Sequence, residues 1–310
     1  MKNRIFVALS SFAEHDQRPL QLLEKSGFPF TLHKSGKRIT KNELLAHAKD
    51  AKVILAGVEV YDSSLLAELK HLRCISRCGV GTDSIDMQYA KLHEICVTNT
   101  PGIPNDAVAE LALAMFLALS RDLFRQAQSM REMRWERRKA HLLSGRTIGI
   151  IGYGNIGRRV AQLCLAFNVR VVIFDPLVNF NDPLSGNVSF VDLDTLLKEA
   201  DIVSLHASKL SKTPFLMGHR EFGLMKLGSF LVNLARGDMV DEQALIEALS
   251  SGHLSGAGLD VYQNEPYKGK LCEFDQVILS PHSATNTIET RSEMELMCVE
   301  NALEFLGHQR

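Results

Sequence analysis

Short apolar runs alternate with amphipathic stretches along most of the chain, and the pattern restarts near residue 147. Before that point the runs at 5–9, 53–56, 74–76 and 95–98 are brief, apolar and bounded by turn residues, so they read as strands. Helical spacing of apolar residues marks 20–25, 44–48, 64–69 and 87–92 between them. From residue 147 the order is strand 147–151, helix 158–167, strand 169–174, helix 193–199, strands 202–205 and 229–233, helix 242–249, and strands 256–260 and 276–280. Right-handed crossovers turn that alternation into a doubly wound parallel sheet with ligand sites at the strand carboxyl ends. Between the two sets, after Thr100-Pro101-Gly102-Ile103-Pro104, an apolar helix over 105–120 acts as a connector. A last helix over 287–306 follows the final strand and is expected to pack back on the N-terminal unit. The expected architecture is therefore α/β with two domains, 100–283 inserted into a smaller, discontinuous unit of 1–99 and 284–310.

Composition narrows the function classes. With 310 residues, 45% apolar and 23% charged, the chain reads as an ordinary globular protein long enough for two domains. A net charge of −1 argues against a nucleic-acid or membrane-surface role, which needs a strong positive field. The six cysteines show no zinc spacing and no paired framework, so reduced thiols and no metal are expected. The apolar start at 5–9 is too short for a signal peptide, and the run 107–119 contains Glu110 and is too short for a bilayer. A cytoplasmic location follows as an expectation. Residues 121–146 are locally basic, usually the mark of a solvated face, but Trp135 sits among those arginines. An aromatic in that setting favours a subunit contact, hence a homodimer or larger homo-oligomer.

The run Thr147-Ile148-Gly149-Ile150-Ile151-Gly152-Tyr153-Gly154-Asn155-Ile156-Gly157 carries the most specific chemistry. A buried strand enters a G-x-G-x-x-G turn that opens a helix. Gly152, Gly154 and Gly157 permit a tight turn, close backbone approach to a pyrophosphate and close helix–strand contact, and the helix N-terminus adds partial positive charge. Asp175 ends the next apolar run, where a carboxylate meets a ribose 2′-OH. That carboxylate would repel the 2′-phosphate of NADP, and Pro176 follows where an arginine would accommodate it, so NAD is the expected cofactor.

Three later loops bring reactive groups to strand ends: Asn233-Leu234-Ala235-Arg236-Gly237, Asp260-Val261-Tyr262-Gln263-Asn264-Glu265, and Ser280-Pro281-His282-Ser283-Ala284-Thr285. Hydride transfer to a 2-oxo acid needs a cation for the carboxylate, a proton donor for the carbonyl oxygen and a carboxylate to keep that donor charged. Singly, Arg236, Glu265 and His282 have bland readings as a surface loop residue, a turn cap and a structural histidine. Together on three strand ends they fit that chemistry.

With Arg77-Cys78-Gly79-Val80-Gly81-Thr82-Asp83, Asn99-Thr100-Pro101-Gly102, Val108-Ala109-Glu110 and Arg134-Trp135-Glu136-Arg137 added, the chain resembles the D-isomer-specific 2-hydroxyacid dehydrogenase family, in its phosphoglycerate dehydrogenase-like branch. The resemblance implies a Rossmann NAD-binding domain inserted into a flavodoxin-like substrate domain. It implies His282 as general acid/base, Glu265 as the group that holds and charges its imidazole, and Arg236 as the clamp on carboxylate and carbonyl. Gly79, Val80 and Gly81 would grip the substrate carboxylate through backbone N–H groups, with Arg236 and His282 completing the substrate site. For the cofactor it implies Asn155 and Ile156 at the pyrophosphate and Asp175 at the ribose. Ala207, Leu234, Ala235, Arg236 and Asp260 fall on the nicotinamide side, with Val80, Ser283 and Ala284 nearby. His206 is implied as a pocket wall. The implied partner is a small 2-hydroxy or 2-oxo acid.

Two departures bear on substrate and loop shape. After the strand at 202–205 the chain reads His206-Ala207-Ser208-Lys209-Leu210 rather than the family's His-x-Pro-Leu-Thr. Phosphoglycerate-specific members carry a basic residue near Ala56-Gly57-Val58-Glu59-Val60, where the charge here is Glu59, which weakens phosphoglycerate as substrate. The end at Arg310 leaves no regulatory domain in the expectation. The alternatives are a hydroxypyruvate or glyoxylate reductase in the same family, and a non-catalytic NAD(H)-sensing, corepressor-like protein.

Overall fold

The computed structural model describes residues 4–177, 188–207 and 215–307. They form two units, one of residues 1–104 with 286–310 and one of residues 105–285. The boundaries fall at Pro104/Asn105 and Thr285/Asn286, against 99/100 and 283/284 in the sequence reading.

In the smaller unit, strands β1 (Ile5–Val7), β2 (Phe30–Leu32), β3 (Val53–Ala56), β4 (Cys74–Arg77) and β5 (Cys96–Thr98) form one parallel sheet in the order β2-β1-β3-β4-β5. That order is the flavodoxin-like one. Its helices are α1 (Arg18–Lys25), α2 (Lys41–Ala48), α3 (Ser63–Glu68) and α4 (Met87–Leu92), with a last helix over Ile288–Gly307 that lies against β3, β4 and α1. Alternation along β3 shows how the sheet is covered on both faces. Val53 and Leu55 join Leu23, Val299 and Ala302 on one side, and Ile54 and Ala56 join Leu44, Leu65 and Tyr61 on the other.

The larger unit opens with α5 (Asn105–Ser120) and α6 (Leu123–Arg131). The chain continues through β6 (Thr147–Ile151), α7 (Asn155–Leu165), β7 (Arg170–Phe174), β8 (Val188–Phe190), α8 (Leu193–Glu199), β9 (Ile202–Leu205), α9 (His219–Leu224), β10 (Ser229–Asn233), α10 (Glu242–Ser250), β11 (Leu254–Leu259) and β12 (Val277–Leu279). The final helix of the chain is α11 (Ile288–Gly307). The seven strands are parallel in the order β12-β11-β10-β9-β6-β7-β8, a Rossmann arrangement whose order reverses beside β6. Val171 and Ile173 of β7 join Phe116, Val160 and Ala161 under α5 and α7, while Val172 faces Leu196, Leu231 and Leu245.

Four elements escape the sequence reading. β2 and β8 are three-residue strands at the edges of their sheets, half-buried and too short to show a period. α6 and α9 are short helices in the basic run and in a polar stretch, and neither is read from the sequence. The helix read as 158–167 begins at Asn155, inside the glycine turn, which places its first N–H groups where the turn opens.

Two glycines of that turn are required by geometry. Gly152 has φ +95°, and a Cβ on it would lie 2.4 Å from the Ala207 nitrogen. A Cβ on Gly157 would lie 2.0 Å from the Gly152 carbonyl oxygen. Replacing Gly157 by alanine therefore forces α7 away from β6, and urea unfolding should show a loss of about 1–3 kcal/mol, the range for overpacking a tight contact. An unchanged midpoint would mean the turn has room that the structure denies.

Candidate active site

Because all strands of the larger sheet are parallel, their carboxyl ends lie along one edge. There the chain presents Gly152 after β6, Asp175 after β7, His206 and Ala207 after β9, Leu234 to Arg236 after β10, Asp260 after β11, and His282 to Ala284 beyond β12.

The nucleotide turn is shaped for a phosphate. Gly154 is the N-cap of α7 and provides no side-chain cap, so the helix end meets its surroundings through backbone N–H groups of Asn155 and its neighbours. No atom lies within 4 Å of a Cβ built on Gly154, which leaves open space above that end. Ile156 packs inward against the apolar layer beneath α7. At the end of β7, Asp175 Oδ2 accepts the Tyr153 N–H at 2.7 Å and Oδ1 accepts the Leu177 N–H at 2.8 Å. The backbone thus pins the carboxylate, and remaining lone pairs can accept from a diol. An uncapped helix end, open space above it and a pinned carboxylate fit the pyrophosphate and ribose of a dinucleotide.

Across the turn, His206 Nε2 lies 2.7 Å from Ser204 Oγ, and its buried Nδ1 has no hydrogen-bond partner among the described residues. Burial pulls this histidine down to about 4, so its ring is neutral and makes a poor proton carrier near neutral pH. The family departure at Ser208-Lys209-Leu210 lies outside the described residues.

Polar side chains at the strand ends brace the reactive loops. Asn233 is 1% exposed; its Oδ1 accepts the Ala235 N–H at 3.0 Å and its Nδ2 donates to the Arg236 carbonyl at 2.9 Å. Arg236 Nη1 donates to the Ala235 carbonyl at 2.8 Å. The Tyr262 hydroxyl lies 3.1 Å from the Leu259 carbonyl and 2.9 Å from that of Ser280, tying the ends of β11 and β12. The Tyr262 N–H donates to Glu265 Oε1 at 3.1 Å, and Glu265 Oε2 lies 2.9 Å from His282 Nδ1. An ionised carboxylate only accepts, so Nδ1 carries the proton of that contact and Nε2 is the nitrogen left for chemistry.

His282 itself adopts φ +51°, a left-handed conformation that costs a non-glycine residue about 1 kcal/mol or more. Asp260 holds it there. Its Oδ1 accepts Ser280 Oγ–H at 2.6 Å and the Ser283 N–H at 2.8 Å, and its Oδ2 accepts the Ala284 N–H at 2.9 Å. Asp260 is 1% exposed, and the sequence reading assigned it to the nicotinamide. In the structure its carboxylate anchors the histidine loop, and the N–H groups of Ser283 and Ala284 are committed to it. Sequence reasoning gave no role to Asn233, Tyr262 or Ser280. An asparagine at a strand end is a recognisable signal for bracing the following turn, whereas nothing local marks the tyrosine.

In the smaller unit the Gly79 N–H donates to Thr100 Oγ1 at 2.9 Å, the Thr100 N–H donates to the Gly79 carbonyl at 3.0 Å, and Asn99 Nδ2 donates to the Val80 carbonyl at 2.8 Å. Gly79 is therefore occupied as a donor. The N–H groups of Val80 and Gly81 make no hydrogen bond among the described residues, so the anion grip expected of three residues narrows to two.

Comparison with known proteins assigns this arrangement. Residues 113–284 match the family model described as D-isomer specific 2-hydroxyacid dehydrogenase, NAD binding domain. A hydroxypyruvate reductase of Thermotoga maritima is 36% identical over 283 residues, covering 89% of this chain and 92% of that protein. A glyoxylate reductase of Thermococcus litoralis is 32% identical, covering 98% and 94%. The crystal structure of D-lactate dehydrogenase from Aquifex aeolicus, complexed with NAD and lactic acid, superposes with a TM-score of 0.86 at 29% identity, covering 99% of this chain and 96% of that one. With an uncapped helix end and a pinned aspartate at the strand edge, and relatives of this identity over nearly its whole length, the chain belongs to the D-isomer-specific 2-hydroxyacid dehydrogenases and is an NAD-dependent oxidoreductase.

Proposed function

We propose that His282, Glu265 and Arg236 carry the interconversion of a small D-2-hydroxy acid and its 2-oxo acid. The observation that carries this reading is the 2.9 Å contact between His282 Nδ1 and Glu265 Oε2 at the strand edge that also presents Arg236. Bound NAD supplies the hydride acceptor, and NADH the donor in the reverse direction. His282 Nε2 delivers a proton to the carbonyl oxygen in reduction and removes it in oxidation. Glu265 fixes the ring through its contact with Nδ1. Arg236, with planar paired donors, orients the carboxylate and polarises the carbonyl. In the smaller unit, the N–H groups of Val80 and Gly81 are the donors offered for a substrate carboxylate. Asn155, Ile156 and Asp175 bind the cofactor's pyrophosphate and ribose; Ala207, Leu234 and Ala235 line its nicotinamide side. On this reading residues 105–285 are the cofactor domain, and 1–104 with 286–310 the substrate domain. The histidine–carboxylate pair favours turnover over NAD(H) sensing alone.

The favoured substrates are hydroxypyruvate and glyoxylate rather than a phosphorylated acid. Glu59 is 7% exposed with Oε2 accepting the Gly57 N–H at 2.8 Å, while Val58 and Val60 are the exposed residues of that segment. Within residues 56–60 the one charge is Glu59, and the nearby Arg38 guanidinium is engaged by the Val58 carbonyl; the relatives include reductases of both acids. A homodimer is supported by exposed apolar side chains on α6 and the segment after it: Leu123, Phe124, Met130, Met133, Trp135 and Leu142. Trp135 is 80% exposed, far more than a large aromatic keeps without a partner surface. No helix among the described residues is long and apolar enough to cross a membrane, and all six cysteines are free thiols, which supports a cytoplasmic location.

His282→Ala should lower kcat by about 10²–10⁴-fold, the usual worth of a positioned acid/base, with NADH affinity unchanged by fluorescence titration. Glu265→Gln should lower kcat less and leave the same affinity. Near wild-type turnover in His282→Ala would remove it from the mechanism. Under saturating NADH, kcat/KM should be highest for hydroxypyruvate or glyoxylate and at least about tenfold lower for 3-phosphohydroxypyruvate, the factor expected from one missing charged contact. A preference for the phosphorylated acid would overturn the reading of Glu59.

A further inference from the structure

β4 and β5 place two cysteines side by side. Cys74 and Cys96 are level in the parallel register of these strands, and their neighbours Ile75 and Val97 continue the pairing. The Cys96 N–H donates to the Arg73 carbonyl at 2.8 Å, so the ladder fixes the backbone on both sides of the pair. Adjacent strands lie about 4.8 Å apart, and residues level with one another project to the same face. That spacing falls inside the range of about 4.4–6.8 Å between Cα atoms that a disulfide accepts. Cys74 is buried, whereas Cys96 lies on the edge strand and is exposed.

We propose that Cys74 and Cys96 form a thiol pair that peroxide converts reversibly into a disulfide. The exposed sulfur reacts first. The neighbouring Cys74 thiol favours the thiolate and brings the Cys96 thiol down to about 6, while the same proximity and burial push Cys74 up. Cys96 thiolate attacks hydrogen peroxide: an S–O bond forms, the O–O bond breaks, and hydroxide leaves to become water. The Cys74 sulfur then attacks the sulfenic acid: an S–S bond forms, the S–O bond breaks, and a second water carries away the Cys74 proton. Two thiols supply the two electrons that reduce the peroxide, and a dithiol reductant returns them.

The position of the pair gives it a consequence. β4 runs directly into Cys78-Gly79-Val80-Gly81, and β5 runs into Asn99 and Thr100, which hold that loop through the Val80 carbonyl and the Gly79 N–H. A bond between Cys74 and Cys96 therefore ties together the two strands from which the loop is suspended. Its effect on substrate affinity rests on the carboxylate-binding role proposed above for Val80 and Gly81; its formation does not.

The test is to expose the reduced full-length protein to one equivalent of hydrogen peroxide, alkylate the remaining thiols under denaturing conditions, and map non-reduced peptides by mass spectrometry. The expected result is a Cys74–Cys96 linked peptide, two thiols fewer than the original six, and full recovery with dithiothreitol. Cys96→Ser should form no intramolecular link. Mapping does not depend on turnover, so an inactive protein with the linked peptide would count against the catalytic reading and not against the pair. Conversion of Cys96 to sulfinic acid with Cys74 still free, a link between other cysteines, or no loss of thiols would each overturn the proposal.

Discussion

The seven strands of the larger sheet all run the same way, so every turn that follows a strand carboxyl end emerges along one edge. Residues as far apart as Gly152, Arg236, Glu265 and His282 are thereby presented along that edge. The constraint originates in the backbone. Parallel strands need crossover helices, the helices cover both faces, and the turns beyond the strand carboxyl ends become the place where polar groups can meet a ligand. Apolar positions on both faces of β6, β7 and β9 provide the cohesion that holds this edge rigid.

Rigidity at the edge is finished by polar side chains. Asn233 braces the arginine loop, Tyr262 ties β11 to β12, and Asp260 holds the histidine loop by three short hydrogen bonds, one to Ser280 before His282 and two to Ser283 and Ala284 after it. A left-handed histidine is tolerable only because those bonds determine the backbone on its carboxyl side. Glu265 then sets which ring nitrogen carries the proton. His206, half-buried and held neutral, cannot compete for that role near neutral pH.

Much of this was legible in the sequence because the strongest signals are local. The glycine turn, the apolar strands around it and the strand-end positions of Arg236 and His282 depend on neighbouring residues, and the structure keeps them together at the sheet edge. What stayed hidden depends on contacts between distant segments. β2 and β8 are strands because β1 and β7 pair with them, and their three residues carry no period of their own. That Asp260 also anchors the histidine loop depends on its partners Ser280, Ser283 and Ala284, which the sequence does not show. That Gly79 is occupied by Thr100 likewise follows from the pairing of β4 with β5, which no motif at 77–83 announces.

The central claim, that turns from separate parallel strands converge on one substrate, is tested most directly by a crystal structure with NADH and oxamate, a stable analogue of a 2-oxo acid. The account predicts His282 Nε2 within about 3.2 Å of the analogue's amide-bearing carbonyl oxygen, the reach of a hydrogen bond, with Arg236 on its carboxylate. An analogue bound away from His282, or with its carboxylate held by neither Arg236 nor the Val80 and Gly81 N–H groups, would contradict it.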